Sequence, residues 1–147
     1  ALDCGNDHPL WLREAGWFAF QNGDYQRARA LLGRSLNANQ ADYLARYYRA
    51  RVLAESGESH KAVQDLHKVL KSVPEDWQVH RTLGRIVGRS GDHFQGYLHL
   101  AYSHLYAHRL EECARFLEKA RGLAKTNAQE DDVRQLEEEY EKRKEIL

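Results

Sequence analysis

The sequence has 147 residues, 30% of them charged and 2 of them proline, and its 22 lysines and arginines balance its 22 aspartates and glutamates. This length fits one domain. A balanced charge gives no overall positive field to attract nucleic acid, and no apolar run approaches the roughly 18 residues of a membrane span. The composition therefore indicates a compact, soluble, helical domain without a nucleic-acid partner and without membrane insertion.

The chain contains no methionine, so we expect it to be a processed product or a piece of a longer protein. Its two cysteines, Cys4 and Cys113, match neither a CxxC redox motif nor a zinc-knuckle spacing. Oxidising and reducing compartments therefore both stay open. Cys113 stands at a small-residue position, which predicts a buried filler, and Cys4 in the N-terminal tail is not expected to reach it.

In chain order, a tail over residues 1–8 precedes eight predicted helices. They lie near 9–22, 25–38, 42–56, 59–72, 75–90, 92–107, 110–123 and 128–146. No segment has the alternating pattern of a strand, so the sequence predicts an all-α fold.

A 34-residue repeat orders these helices. Gly23, Gly57 and Gly91 follow one another at that spacing, each in a polar turn between two helices. A small residue stands seven positions before each glycine and another five positions after it, and a leucine stands nine positions after it. These sets are Gly16, Ala50 and Gly84, then Ala28, Ala62 and Gly96, then Leu32, Leu66 and Leu100. Each unit therefore predicts a hairpin of two closely packed helices, with leucine filling the space beside the small residues.

With these positions the sequence resembles the tetratricopeptide repeat (TPR) family in three units, near 9–42, 43–76 and 77–107. Pro74 and Trp77 also fit the family pattern, whereas Leu12 and Gln40 depart from it. The resemblance implies a TPR-like right-handed α-solenoid of antiparallel helical hairpins.

The repeat period then halves. A shift of 17 aligns Gly84 with Ala101, Gly96 with Cys113, and Leu100 with Leu117, which predicts a half-step unit over 92–123. The repeats are thus expected to span 9–127, followed by a charged C-terminal capping helix over 128–147. Its apolar positions form one narrow stripe: Val133, Leu136 and Tyr140.

The half-step region is similar to the C-terminal repeats of BepA-type bacterial periplasmic zinc metallopeptidases. The resemblance rests on Gly91, Asp92, Gly96, Tyr97, Ala101, Cys113, Ala114, Leu117 and Ala120. It implies a non-catalytic recruiting domain that follows a catalytic domain, a periplasmic location, and zinc only in that catalytic domain. The family's repeats are implicated in engaging outer-membrane assembly machinery and its substrates.

Catalytic motifs are absent from this sequence. A zincin needs His-Glu-x-x-His, but Leu105 follows His104 where the general base must stand before His108. His104 and His108, with His99, could hold an adventitious metal, although hydrogen-bonded surface histidines are commoner. No phosphate loop or nucleophile elbow follows a strand. We therefore expect no enzymatic activity, no cofactor and no functional metal site in this chain.

Arginines and aromatic residues define the candidate binding site, a concave groove lined by the first helices of successive hairpins. Arg81, Arg85 and Arg89 follow an i, i+4, i+8 spacing along one helix face. The complete candidate set is Arg13, Trp17, Phe20, Tyr47, Arg51, Arg81, Arg85, Arg89, Tyr102 and Tyr106. Guanidinium groups beside flat apolar surfaces suit carboxylates and peptide backbones, whereas a solvated face with Glu55 paired to Arg89 is the alternative.

Two functions follow from this pattern. In the first, the chain is a protein interaction module that binds a polypeptide in this groove, as the non-catalytic recruiting domain of a larger protein such as a zinc metallopeptidase. In the second, it is a structural or autoinhibitory domain that packs against its own catalytic partner domain. A chaperone-type carboxylate clamp is not expected, because Trp17 and Arg51 occupy the positions of its asparagines.

Overall fold

The computed structural model describes residues 7–146, which form eight helices and no strand. The helices are α1 (Pro9–Gln21), α2 (Tyr25–Ala38), α3 (Tyr43–Glu55), α4 (Ser59–Ser72), α5 (Trp77–Arg89), α6 (His93–Tyr106), α7 (Leu110–Leu123) and α8 (Asn127–Ile146). This confirms the all-α prediction, with every helix end within two residues of the predicted one. Cys4 and most of the predicted tail lie outside the described residues.

The chain divides into two compact units, Ala1–Pro74 and Glu75–Leu147. In the first unit α1 packs on α2, α2 on α3, and α3 on α4. In the second, α5 packs on α6, α6 on α7, and α7 on α8. Neighbouring helices therefore pack in pairs within each unit, as TPR-like hairpins do.

The turn glycines adopt the backbone conformation that the repeat predicts. Gly23, Gly57 and Gly91 have φ angles of +80°, +82° and +100°, which side chains with a Cβ rarely adopt. The turn between α6 and α7 instead has His108 at φ 60°. His108 follows Gly91 by half a repeat, so a histidine occupies the position where the other turns have glycine.

Small residues allow α5 and α6 to approach closely. A Cβ at Gly84 would lie 2.9 Å from the carbonyl oxygen of Gly96 and 3.1 Å from Leu100 Cγ, and a Cβ at Gly96 would lie 3.0 Å from the Cα of Gly88. In the first unit, a Cβ at Gly16 would meet Leu32 Cγ at 2.7 Å. The leucines therefore fill the space beside the small residues, as the repeat predicted.

Polar groups tie the hairpins at other points. Ser35 donates a hydrogen bond to the carbonyl oxygen of Pro9 at 2.8 Å, and Ser103 does the same to Trp77 at 2.9 Å. Both bonds join the second helix of a hairpin to the first residue of its first helix. Asp65, only 5% exposed, accepts two hydrogen bonds of 2.8 Å from Arg49 and so joins α3 to α4.

The core of the second unit includes the capping helix. Val133 and Leu136 of α8 are buried with Cys113 of α7 and residues of α6, and Tyr140 packs against them. Burial raises the pKa of the Cys113 thiol to about 11. Cys113 is thus an uncharged core filler, as its repeat position predicted.

We predict that Gly84→Ala destabilises the chain by about 1–3 kcal/mol, because the new methyl group would press on the backbone of α6. Gly122→Ala is the matched control in the same unit, since nothing lies within 4 Å of a Cβ there. It should stabilise α7 by about 0.5 kcal/mol. Denaturant unfolding followed by circular dichroism checks both, and equal effects would contradict the close approach.

We predict that His108→Gly stabilises the chain by about 0.5–1 kcal/mol. Left-handed backbone costs a residue with a Cβ about 1–2 kcal/mol, and the greater freedom of glycine in the unfolded chain offsets part of the gain. His108→Ala removes the same imidazole but keeps the Cβ, so it should give no such gain. Thermal unfolding of the two variants provides the comparison.

Candidate functional site

Aromatic rings of the first unit form a stack that carries one arginine. Trp17 lies 4.2 Å from Tyr48 and 5.2 Å from Phe20, measured between ring centroids, and the rings are close to parallel. The Arg51 guanidinium carbon lies 5.2 Å from the Trp17 ring centroid and 5.5 Å from that of Phe20. All four side chains are partly buried. We call Trp17, Phe20, Tyr48 and Arg51 the aromatic surface.

The two other candidates of the first unit are less available to a ligand. The Arg13 guanidinium donates hydrogen bonds to Glu14 at 2.8 Å and to Asp42 at 3.1 Å. Tyr47 is buried, whereas its neighbour Tyr48, which was not among the predicted residues, joins the stack. Trp17, Phe20 and Arg51 are therefore the predicted residues that the structure brings together in this unit.

In the second unit, Arg81, Arg85 and Arg89 are all exposed along one face of α5. We call these three residues the arginine row. The Arg81 guanidinium carbon lies 5.0 Å from the Trp77 ring centroid. None of the three forms an ion pair with a residue of 75–146. Their positive charges are thus uncompensated within their own unit.

A groove of about 190 Å³ lies beside the arginine row. Its floor is the close crossing of α5 and α6, and its walls combine cationic and aromatic side chains. The lining residues are Gly84, Arg85, Gly88, Arg89, His93, Gly96, Tyr97 and Leu100. The glycines have no side chains to fill the space beside Arg85 and Arg89. The residues that let the two helices pack closely therefore also form the candidate site.

A larger cavity, of about 350 Å³, lies at the other end of the row. We call it the Trp77 cavity, and it is lined by Trp77, Arg81, Ser103, His104, Tyr106, Ala107, His108 and Arg109. Only Arg81 and Tyr106 of this set were predicted as groove residues. Of the others, Trp77 begins α5, and the rest come from the end of α6 and the turn after it. The sequence signal for that turn is His108, which stands half a repeat after Gly91.

Tyr102 and Tyr106 belong to an internal aromatic cluster. Their ring centroids lie 5.8 Å apart, and both rings contact His80, whose Nδ1 lies 3.1 Å from Nδ1 of His99. The Arg143 guanidinium of α8 lies 5.0 Å from the Tyr106 ring. Burial raises the pKa of both tyrosines, so each keeps its hydroxyl proton. Tyr106 also lines the Trp77 cavity.

A second aromatic stack joins α6 to α7. The His104 ring lies flat against Phe116, 5.2 Å away at 5°, and Phe116 is also 6.1 Å from Tyr97. The Lys119 ammonium group lies 5.2 Å from the Tyr97 ring and 5.3 Å from that of Phe116. Burial lowers the pKa of His104, while Glu112 raises it and Arg109 lowers it further.

Among residues 7–146, no group of three or more histidine, cysteine, aspartate or glutamate side chains is placed to hold a metal ion. His104 and His108 instead share the Trp77 cavity. None of the helices in the described part of the chain is long and apolar enough to cross a membrane.

Residues 19–86, from the end of α1 into α5, match a family model described as tetratricopeptide repeat. No curated protein matches the chain. The match and the eight consecutive helices packed in neighbouring pairs together support a tetratricopeptide repeat protein. Such repeats generally mediate protein–protein interaction, and their fold is typically non-catalytic.

We predict that Glu112→Gln lowers the pKa of His104, because it removes the carboxylate that favours the protonated ring. Glu111→Gln changes the same charge one residue earlier and should have a smaller effect. The titration of the His104 ring protons by nuclear magnetic resonance (NMR) measures both. An unchanged His104 pKa in Glu112→Gln would show that the two side chains do not interact.

Proposed function

We propose that the chain is a protein interaction module that binds a polypeptide segment of acidic character, selected by the arginine row. The observation that carries this proposal is that Arg81, Arg85 and Arg89 lie exposed on one helix face and form no ion pair with a residue of 75–146. Most other arginines of the second unit are committed to carboxylates. Examples are Arg121 with Glu118 and Glu137, Arg134 with Asp131, and Arg143 with Glu75.

The spacing of the arginine row suits several contacts with one segment. Successive arginines are separated by one helical turn, about 5–6 Å, so their guanidinium groups need not compete for the same carboxylate. Each guanidinium can donate two parallel hydrogen bonds to one carboxylate, or a single hydrogen bond to a peptide carbonyl. Such contacts steer the encounter and fix the register of the bound segment.

Aromatic contacts supply the apolar burial that slows release. Tyr97 and Leu100 line the groove beside Arg85 and Arg89. In the first unit, the aromatic surface of Trp17, Phe20, Tyr48 and Arg51 offers a further contact of the same kind. Flat rings edged by guanidinium groups favour peptide side chains and backbone over a small apolar ligand.

This module is proposed to recruit polypeptides for a larger protein, a BepA-type zinc metallopeptidase of the bacterial periplasm, and to have no catalytic activity itself. The support is the similarity of residues 91–120 to the repeats of that family. The full-length open reading frame tests it: a His-Glu-x-x-His motif before this region is expected, and its absence would remove the peptidase from the proposal.

A structural role against a partner domain is a second candidate, favoured by the outer face of α1. Leu10, Trp11 and Phe18 are 50%, 42% and 68% exposed there. Apolar side chains grouped on one helix are unusual on a surface that faces only water. Activity of the full-length protein that rises when α1 residues are made polar would favour autoinhibition over recruitment.

We predict that Arg85→Glu weakens binding of acidic peptides by about fivefold to tenfold, because an attraction becomes a repulsion at an exposed site. Arg115→Glu is the matched control, since Arg115 is exposed on α7, lines neither the groove nor the Trp77 cavity, and forms no ion pair with a residue of 75–146. Fluorescence anisotropy with acidic, neutral and basic peptides of equal length and aromatic content measures both.

Helix content should be unchanged in both variants, as exposed positions tolerate such changes. Equal affinity for acidic and basic peptides at low salt would contradict the proposal. So would equal losses in Arg85→Glu and Arg115→Glu, because the arginine row would then act only as a solvated face.

A further inference from the structure

We infer that the Trp77 cavity binds one oxyanion group, a carboxylate or a phosphate, at one end of the arginine row. The inference rests on the proposed function, since the oxyanion would be the C-terminal carboxylate or a phosphorylated side chain of the bound polypeptide. Arg81 belongs to both the row and the cavity, so the two sites are continuous.

The lining of the cavity is cationic. Two of its eight residues are arginine, two are histidine, and none is aspartate or glutamate. Its volume of about 350 Å³ falls at the lower end of the range for small-ligand sites. The space therefore suits a single end group or side chain, and its charge favours an anion.

Arg81 is positioned before a ligand arrives. Its guanidinium carbon lies 5.0 Å from the Trp77 ring centroid, and the Trp77 backbone is held by the hydrogen bond from Ser103 to its carbonyl oxygen. A stacked guanidinium keeps its N–H groups at its edge, where they can donate to an oxyanion. Because the side chain is already held, binding costs less rotamer entropy.

Arg109 lies in the turn before α7 and lines the same cavity as Arg81. It is the N-cap residue of α7, but its side chain forms no capping hydrogen bond. It also forms no ion pair with a residue of 75–146. An oxyanion in the cavity would supply the carboxylate or phosphate partner that Arg109 lacks within its unit.

His104 and His108 complete the site. The His104 ring is held flat against Phe116, and burial lowers its pKa, with Glu112 raising the pKa and Arg109 lowering it further. A bound anion would screen the repulsion between Arg109 and a protonated His104. His108 has left-handed backbone, which glycine would adopt at lower cost, and its side chain borders the cavity.

Small probes test the cavity without any polypeptide. The full chain is titrated with inorganic phosphate, with N-acetylglycine, and with uncharged N-acetylglycinamide as the control, while NMR follows the Trp77 indole and the His104 ring. Saturable shifts with at least one of the two anions, and none with the amide, are expected. Arg109→Gln should weaken that binding about tenfold, whereas Arg115→Gln should leave it unchanged.

His108→Gly provides a second variant that is not expected to unfold the chain, because glycine suits the φ angle at this position. It should weaken anion binding by a few fold through loss of the imidazole. Shifts that do not saturate, or equal behaviour of Arg109→Gln and Arg115→Gln, would overturn the inference and identify an adventitious ion only.

Peptide pairs then distinguish the two sources of the oxyanion. An acidic peptide with a free C-terminal carboxylate is compared with its amidated form, and a phosphoserine peptide with its serine form. Arg109→Gln should abolish the preference within the pair that the cavity recognises, whereas Arg85→Glu should weaken both members equally. If the wild-type chain binds both members of each peptide pair equally well, the inference is overturned, even if the arginine row binds peptides.

The two proposals fail in different ways. If phosphate or N-acetylglycine binds and Arg109→Gln weakens that binding, but no peptide binds, the anion site in the cavity stands and the interaction module is rejected. Peptide binding that depends on Arg85 but not on Arg109 would keep the module and reject the cavity.

Discussion

The close crossing of α5 and α6 is the constraint on which the second unit depends. With Gly84, Gly88 and Gly96 at the crossing, the helix backbones come near enough that an added Cβ at Gly84 or Gly96 would lie 2.9–3.0 Å from a neighbouring backbone atom. This contact fixes how far Arg85 and Arg89 stand from Tyr97 and so creates the groove between them. Larger residues would fill that space and separate the helices, so packing and the candidate site cannot change independently.

A second fixed point lies at the far end of the same hairpin. The hydrogen bond from Ser103 to the Trp77 carbonyl holds the start of α5 against the end of α6. In the first unit, Ser35 donates the equivalent hydrogen bond to Pro9, the first residue of α1. In the second unit the first residue of α5 is Trp77, and the Arg81 guanidinium lies over its ring. The same hydrogen bond therefore occurs in both hairpins, and in the second one the side chains around it form a cationic cavity.

The repeat period predicted the fold because it encodes turns and contacts together. Glycine spacing located the turns, and small residues with their leucines located the helix pairs, so helix boundaries needed no tertiary information. The same 34-residue spacing predicted that Trp17 lies near Arg51, as the structure shows. It also selected Tyr47 as a groove residue, whereas Tyr48 is the tyrosine that stacks on Trp17. A one-residue change rotates a side chain about 100° around a helix, which repeat spacing alone does not resolve. The Trp77 cavity was missed because a helix end and a turn supply most of its lining.

Positive and negative residues balance over the whole chain, but the arginines of the second unit are not all paired with carboxylates. Carboxylates of α7 and α8 satisfy Arg121 and Arg134, and Glu75 satisfies Arg143, while Arg81, Arg85 and Arg109 have no ion-pair partner within 75–146. Exposed ion pairs contribute only about 0–1 kcal/mol each, because water and salt screen them. Each arginine of the arginine row should therefore contribute modestly by itself, so selection of an acidic segment depends on several of them acting together. Arg81 differs in its surroundings, since its guanidinium lies over the Trp77 ring and it lines the Trp77 cavity together with Arg109. Selectivity for one oxyanion group should therefore concentrate at Arg81, where the arginine row meets a second arginine in the same cavity.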